Sequence, residues 1–241
     1  MVEKHRTVSR VVKILETAAR NEKGTTLTEF CTELDAPFSS VHGLVMGLIA
    51  EGYLDSSERR GGYVLGLGAH TLLASTSMSL LELVRPVMAE LRETLNETIT
   101  LAVPVGSTVS YVYSLPSHCP IGYNPPLRTR RRPWPSSAGK FFLAHDVVRD
   151  PDLEKAPAKE KDLAQEELST IKRTGVSYNI GLTVTDVAAA AVGIFVDGKV
   201  KAALTIGGPK ARIEERLPDA SALAIQILQR EGLSEPLEKT I

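Results

Sequence analysis

The sequence predicts an α+β protein in which three short helices and a hairpin are followed by an antiparallel sheet with helices packed on it. Three features of the chain support this. Apolar residues recur at helical spacing three times before Gly52, and they change to strand-like runs after Asn96. Asp197-Gly198 then separates two such runs, as in a tight hairpin. The chain therefore divides into a helical first part and a mixed second part.

The first part contains three amphipathic segments, each with one apolar stripe. The stripes are Val8, Val11, Val12 and Leu15; Leu27, Phe30, Cys31 and Leu34; and Val41, Leu44, Val45, Leu48 and Ile49. The stretch from Thr26 to Glu29, "TLTE", has the form of a capping box, so a helix begins there. Pro37 disfavours helical geometry in the residue before it. A turn this short between the second and third segments predicts a helix-turn-helix.

A hairpin wing is predicted after the third helix. Tyr53–Asp55 and Tyr63–Leu65 are strand-like and flank the polar glycine-containing tip "SSERRGG". On the third helix, the side opposite the apolar stripe carries Ser39, Ser40, His42, Gly43, Met46 and Gly47. Such small and polar residues let a helix approach a DNA groove closely and bond phosphates or base edges. Together these segments predict a winged helix-turn-helix.

Cations near this helix are candidates for phosphate contacts. Arg59 and Arg60 lie at the wing tip, and Arg6 lies at the start of the first helix. The alternative is a solvated surface helix on a module that binds other proteins. Residues 1–70 contain eight Lys or Arg against nine Asp or Glu, so the charge of this part does not decide between the two interpretations.

A helix is predicted to join the two parts. Leu81, Val84, Met88, Leu91 and Leu95 step by three and four residues, which is heptad spacing. Because Pro86 lies inside this pattern, we expect a break near Val84-Arg85 and a new helix with the proline in its first turn. The helix before the break is either part of the second domain's core or a dimer contact, and the two are compatible.

The second part alternates strands and helices. The strand-like runs are Thr98–Gly106, Ser107–Leu115, Ala188–Gly198 and Lys199–Gly208, and the helical stretches are Ala138–Val148, Asp162–Thr174 and Leu217–Glu231. This order predicts an antiparallel sheet covered by helices. Domains of this kind commonly enclose a small-molecule pocket between the sheet and its loops.

The sequence contains no motif that we recognise as catalytic, cofactor-binding or metal-binding. "PSSAGKF" resembles the end of a phosphate-binding loop, but Trp134 and Phe141 replace its first glycine and its magnesium-binding hydroxyl, so we reject that interpretation. Ser136 or Ser137 is expected to cap the following helix. The arginines of "RTRRRPW" either bind an anion or nucleic acid, are solvated, or pair with acidic residues across an interface. The two cysteines show no metal-ligand spacing. We expect no enzyme activity, no metal and no cofactor.

The composition is that of an ordinary globular protein, and we expect a cytoplasmic location. Of the 241 residues, 43% are hydrophobic and 24% are charged, with a formal net charge of -1, so any nucleic-acid contact must come from a local patch. No segment approaches the roughly 20 consecutive apolar residues that a membrane span needs.

Several blocks of the sequence, taken together, resemble the IclR family of bacterial transcriptional regulators in order and spacing. They include "TLTEFCTELDAPFSSVHGLVMGLIAEGYL", "LVRPVMAELRETLNETITLAV", "SSAGKFFLA" and "KVKAALTIGGPKARI". The resemblance covers about Val8 to Arg230. It implies a winged helix-turn-helix domain (1–66), a linker helix (67–84) and a GAF-like domain for effector binding and oligomerisation (85–241). It further implies homodimers or tetramers, palindromic double-stranded DNA as partner, and small organic acids or aromatic catabolites as frequent effectors.

Site residues follow from these observations and from the resemblance. The DNA-binding residues that we predict are Arg6, Thr26, Phe38, Ser39, Ser40, His42, Gly43, Arg59 and Arg60. The effector-binding residues are Ser136, Ser137, Ala138, Gly139, Asn179, Asp186 and Ala189. The family often has a basic residue where Phe38 stands, an arginine at Gly43, an acidic pocket residue at Asn179, and Cys or Ser at Ala189. Asp186 is expected to supply the polar anchor instead.

The function implied is that of a DNA-binding regulator whose operator affinity changes when a small organic effector, aromatic or rather apolar, binds the second domain. Two alternatives stay open. The chain is compatible with a regulator whose pocket no longer binds an effector. It is also compatible with a small-molecule-binding protein or enzyme that uses the winged helix for dimerisation.

Overall fold

A computed structural model describes residues 5–69 and 80–234 of the chain. The chain separates into two compact units, Met1–Ser79 and Leu80–Ile241. Each unit has its own buried core. The segment expected to form the linker helix, 67–84, lies mostly on residues 70–79, outside the described ranges.

The first unit is a winged helix-turn-helix, as predicted. Its elements are α1 (Arg6–Arg20), β1 (Thr25–Thr26), α2 (Leu27–Leu34), α3 (Phe38–Ala50), β2 (Leu54–Ser56) and β3 (Gly62–Leu65). The strands form an antiparallel three-stranded sheet in the order β1-β3-β2. Strand β1 was not predicted from sequence, because two residues are too few to show the alternation of side chains that marks a strand.

The capping box at the start of α2 is confirmed. The Thr26 side chain accepts a hydrogen bond from the amide of Glu29, and the Glu29 carboxylate accepts one from the amide of Thr26 at 2.7 Å. At the other end Asp35 adopts a left-handed conformation with φ of 46°, which stops the helix before Pro37.

The apolar stripe of α1 that packs into the core begins three positions later in the chain than predicted. Val8 is 59% exposed, whereas Ile14 and Ala18 are buried against α2 and α3. The stripe that packs is Val11, Ile14, Leu15 and Ala18, which has the same helical spacing as the predicted one. Both registers satisfy the pattern, and the partner helices decide which of them is buried.

The second unit is an antiparallel sheet with helices on it, which confirms the predicted α+β class. Its elements are α4 (Leu80–Leu95), β4 (Thr98–Val105), β5 (Thr108–Leu115), β6 (Arg130–Arg131), α5 (Ser137–Ala144), α6 (Pro151–Glu154), α7 (Ala158–Thr174), β7 (Val176–Ile180), β8 (Val187–Val196), β9 (Lys199–Pro209), α8 (Lys210–Ile213), a 3-10 turn (Glu214–Arg216) and α9 (Leu217–Arg230). The strand order is β6-β5-β4-β9-β8-β7. Strands β6 and β7 were missed from sequence.

The helix break predicted at Val84-Arg85 is wrong. Helix α4 continues from Leu80 to Leu95 with Pro86 inside it. Proline removes one backbone hydrogen bond and costs roughly 3 kcal/mol in a helix interior. Here Pro86 lies on the exposed side of the helix, while Val84, Met88 and Leu91 are buried in the core. This burial offsets the cost, so this stretch is a core helix of the second unit.

The two faces of the large sheet carry different side chains. One face packs against α4 and α9 with large apolar residues such as Leu101, Ile194 and Leu204. The other face lies under α5 and includes small residues such as Ala191 and Ala203. A Cβ atom added at Gly193 would overlap the Phe141 ring of that helix, so no larger side chain fits there. The predicted hairpin between β8 and β9 is confirmed, with Asp197 and Gly198 both at positive φ.

Candidate DNA-binding surface and effector site

Helix α3 presents a face without charge. Its buried side, Val41, Val45 and Leu48, packs into the core of the first unit. Its outer side is exposed at Ser39, His42, Gly43 and Gly47, and Met46 and Phe38 are 36% and 56% exposed. A Cβ atom added at Gly43 or Gly47 would meet nothing within 4 Å. Packing inside the protein therefore does not require either glycine.

Ser40 is bonded to the first helix. Arg10 Nη1 donates to Ser40 Oγ at 3.0 Å, and Ser40 is half-buried while its neighbour Ser39 is exposed. The hydroxyl that we predicted to contact DNA thus has an intramolecular partner, which fixes α3 against α1. Phe38 and His42, one turn apart, stack with ring centroids 6.0 Å apart and an interplanar angle of 21°.

The two wing-tip arginines have different surroundings. Arg59 donates to both oxygens of Glu29, at 3.0 and 3.2 Å, and to the carbonyl of Gly24 at 3.1 Å. Within the described residues Arg60 is exposed and makes no hydrogen bond or ion pair. The pKa of Glu29 is held below its ordinary value by the backbone amide of Thr26 and by the Arg59 guanidinium. Thr26, predicted as a DNA contact, contributes to the same network.

Arg6 begins helix α1 and is exposed. No acidic residue stands in the first turn of this helix. Helix α3 begins after Pro37 and its first amides have no side-chain cap. Uncapped amides at a helix N-terminus and an exposed guanidinium are both suited to phosphate oxygens.

In the second unit the structure brings part of the predicted effector site together. Ser136 caps α5 by accepting a hydrogen bond from the Gly139 amide at 3.1 Å, as expected from sequence. Asn179 is buried, and its Nδ2 donates to the carbonyl of Pro135 at 2.7 Å. Strand β7 is thereby joined to the start of α5. Ser137, Ala138 and Gly139 follow in the first turn of that helix and are all buried.

Ala189 lies opposite Asn179 in the ladder of β7 and β8, on the same face of the sheet. Asp186 does not lie in this group: its side chain is exposed on the loop before β8, and its carbonyl accepts a hydrogen bond from the Lys210 amide at 2.7 Å. The predicted residues therefore divide into a buried set around Asn179 and one exposed carboxylate.

Sequence reasoning missed a row of hydroxyl side chains beneath α5. Ser177, Thr205 and Thr100 occupy paired positions across β7, β8, β9 and β4, with Ala191 between the first two. All three hydroxyl residues are buried. The Ser177 Oγ has no hydrogen-bond partner within the described part of the chain. The alternation of Thr98 and Thr100 along β4 was the available signal, because it marks a polar inner face.

Three ion pairs, each with one buried and one partly exposed partner, were also missed. Glu97, 1% exposed, is bound by Arg212 through two contacts of 2.6 Å. The other two pairs are Lys140 with Glu167 and Arg132 with Asp150. Arg132, one arginine of the basic run, thus pairs with an acidic residue of its own unit, and no observation tests the interpretation that the run pairs across an interface. Lys140, from the rejected phosphate-loop motif, also lies 5.6 Å from the Trp134 ring centroid.

The described ranges contain no cluster of three or more His, Cys, Asp or Glu side chains able to hold a metal ion. Among those same residues, none of the helices has the length and apolar character needed to cross a membrane.

Comparison with protein families identifies both units. A sequence model of the IclR helix-turn-helix domain matches residues 7–58. A second, described as the C-terminal part of the bacterial transcriptional regulator IclR, matches residues 72–229.

Relatives of known name match over nearly the whole chain. The HTH-type transcriptional regulator BhcR of Paracoccus denitrificans is 26% identical, covering 94% of this chain and 85% of that protein. The transcriptional repressor IclR of Escherichia coli is 24% identical, covering 91% of this chain and 86% of that protein.

Solved structures show the same fold. An IclR transcriptional regulator from a Silicibacter species has a TM-score of 0.74 at 22% identity, covering 95% of this chain and 98% of that one. An IclR homologue from Microbacterium hydrocarbonoxydans, complexed with 4-hydroxybenzoate, has a TM-score of 0.69 at 23% identity, covering 93% and 99%.

Proposed function

Because this chain belongs to the IclR family of bacterial transcriptional regulators, we propose that it binds a palindromic operator through α3 and the wing, as a homodimer or tetramer. The observation that carries the proposal is the outer face of α3. That face is exposed, uncharged and bare at Gly43 and Gly47, while its opposite face is held by the core of α1 and α2. A helix supported on one side and bare on the other fits a major groove.

Phosphate contacts come from the surroundings of α3 in this proposal. The helix itself has no cation between Phe38 and Ala50. The exposed guanidinium groups of Arg60 and Arg6 and the uncapped amides at the start of α3 supply the attraction that DNA binding requires. Arg59, bonded to Glu29, positions the wing against α2.

The effector in this proposal is a small organic molecule, aromatic or rather apolar, that binds between the start of α5 and the sheet. Ser136, Asn179 and Ala189 border this region, and the joint between Pro135 and Asn179 lies at its edge. The homologue that holds 4-hydroxybenzoate supports an aromatic effector. Asp186, which is exposed on the loop before β8, lies outside this group and is not part of the proposed site.

Ligand binding alters operator affinity only if the ligand prefers one arrangement of the paired DNA-binding units. A ligand that joins α5 to β7 shifts the balance between such arrangements. We propose this coupling as the regulatory step.

The test of DNA binding is selection of bound duplexes from a random pool by the full-length protein, followed by titration of the selected sequence. Inverted half-sites separated by about one helical turn or a multiple of it are expected. A failure to enrich any duplex at low salt contradicts DNA binding and leaves the small-molecule-binding alternative.

The effector is tested separately. Aromatic and short-chain carboxylic acids are screened for a rise in Tm, and each compound found is then tested for a change in operator affinity. Ala189→Leu, which fills the proposed site, should abolish both effects while DNA binding persists. If no compound raises Tm or changes operator affinity, the result contradicts an aromatic or short-chain acid effector and favours the alternative of a regulator without one.

A further inference from the structure

We propose that the stripe formed by Phe38, His42 and Met46 reads the C5-methyl groups of thymines in the major groove, so that this regulator selects half-sites by their thymines. The inference rests on the proposed DNA binding and adds to it the feature of the base pair that is recognised.

Helix α3 lacks the side chains that recognise the other bases. Guanine is read by bidentate bonds from Arg or Lys, adenine by Asn or Gln, and cytosine by a carboxylate. The sequence of α3, FSSVHGLVMGLIA, contains none of these residues. Thymine is the base that displays an apolar group in the major groove, and apolar side chains recognise that methyl. The composition of α3 therefore matches one base feature better than the others.

The apolar side chains of the stripe are exposed and ordered along one side of the helix. Phe38, His42 and Met46 are spaced four residues apart, so they lie one above another. Phe38 is 56% exposed and Met46 is 36% exposed, although both are large apolar side chains. The Phe38 ring stacks on His42 at 6.0 Å, which restrains its orientation before any DNA is bound.

A second stripe, one residue further along, is formed by Ser39, Gly43 and Gly47. The two glycines leave the backbone open, since an added Cβ would meet nothing within 4 Å at either position. With this bare stripe against the groove wall, the helix can sit deep enough for the neighbouring Phe38 and Met46 side chains to reach base edges. The glycine stripe thus permits close approach to the DNA, and the stripe with Phe38 and Met46 supplies the apolar contact.

Ser40 does not take part in this reading. Its hydroxyl already accepts a hydrogen bond from Arg10, and its side chain is half-buried. Ser39 and His42 are the polar groups left on the exposed face, and a single hydroxyl or imidazole discriminates between bases less sharply than a bidentate pair.

The experiment replaces thymine by deoxyuridine, which removes the methyl group and changes no Watson–Crick pairing. A duplex selected by the full-length protein is resynthesised with one deoxyuridine at a time, and Kd is measured by fluorescence anisotropy. At a contacted thymine, loss of the methyl should weaken binding about fourfold, the effect of one buried carbon group.

The variant Phe38→Ala connects the effect to the stripe. At one or more thymine positions this protein should bind the thymine and deoxyuridine duplexes equally, while the wild type distinguishes them. Leu163→Ala, which removes a 60% exposed leucine from α7 in the other unit, should retain the wild-type difference. Because Phe38 is exposed, a Tm measurement should show that Phe38→Ala still folds.

The possible outcomes separate this inference from the proposed function. Binding that is insensitive to every deoxyuridine, or a sensitivity that survives in both Phe38→Ala and Met46→Ala, overturns the thymine inference while DNA binding stands. Failure to bind any duplex overturns both.

Discussion

Arg59 at the wing tip and Glu29 in the first turn of α2 form a two-contact ion pair, with nitrogen–oxygen distances of 3.0 and 3.2 Å. The same carboxylate closes the capping box with Thr26. One acidic side chain therefore caps a helix, fastens the wing to it and neutralises one of the two wing-tip arginines. Arg60, its neighbour, has no such partner in the described ranges.

Glu29→Gln should strengthen non-specific DNA binding. Glutamine keeps the capping box, which accepts Glu or Gln, but no longer neutralises Arg59. If the released guanidinium binds a phosphate, the slope of log K against log salt becomes steeper by about 0.9 for each protein subunit bound. Titrations at several salt concentrations measure this. Glu33→Gln is the matched control, because it removes the same charge from the pair with Arg20. Equal slopes for both variants count against a phosphate contact by Arg59.

The Glu29 network should also give stability a dependence on pH. Hydrogen bonds from the Thr26 amide and from Arg59 lower the pKa of Glu29 in the folded protein below its ordinary value of 4.5. The folded state thus favours the ionised form, so the stabilisation is present above the unfolded pKa and is lost as pH falls through the folded one.

This dependence is measured by urea unfolding of wild type and Glu29→Gln. The difference in free energy of unfolding should shrink as pH falls from about 6 to about 3. A difference that stays constant over that range would show that the carboxylate's ionisation does not stabilise the fold.

Arg60→Ala should weaken operator binding at every sequence by a similar factor. A phosphate contact carries no base information, so its loss lowers affinity and reduces the salt slope by about 0.9 per subunit without changing the selected site. Arg149→Ala, which removes an exposed arginine from the second unit, is the control. A change in the selected sequence would mean that Arg60 reads bases and not phosphates.

The ion pair between the buried Glu97 and the partly exposed Arg212 should contribute to the stability of the second unit. Glu97 is 1% exposed, so Arg212→Met leaves a carboxylate without its main partner in the core. Removing one partner of a buried ion pair typically costs about 3–5 kcal/mol of stability. We expect a loss of about 3 kcal/mol, the lower end of that range, because Arg216 lies 4.0 Å from the carboxylate and still offsets part of its charge. Urea unfolding measures the loss. Adding Glu97→Gln to Arg212→Met should recover part of it. If the double variant is less stable than the single one, the carboxylate is not the source of the cost.

Local patterns in the sequence predicted the parts of the fold that depend on neighbouring residues. The capping box at Thr26, the Asp197-Gly198 turn and the exposed face of α3 all follow from spacing within one or two turns of chain. The contacts that sequence missed join distant segments. Arg59 and Glu29 are 30 residues apart, and Glu97 and Arg212 are 115 apart.

Two errors have the same physical origin. The stripe of α1 and the continuity of α4 at Pro86 both depend on burial against other elements, which the pattern of one segment does not contain. The candidate functional residues also divide into those that one segment predicts and those that need the fold. The residues of α3 could be predicted from helical spacing, whereas the hydroxyl row with Ser177 required the strand order, which places β7 beside β8 and β4 beside β9.

The operator affinity of Gly43→Leu tests most directly whether the outer face of α3 enters a DNA groove. A Cβ atom added at this position would meet nothing within 4 Å in the protein, and replacing a helical glycine should raise stability by up to about 1 kcal/mol. We predict an unchanged or higher Tm together with at least a roughly tenfold loss of affinity for the selected duplex, equivalent to about 1.4 kcal/mol. A stable Gly43→Leu protein that binds this duplex as tightly as wild type would contradict the proposal, because that face could not then lie against the DNA.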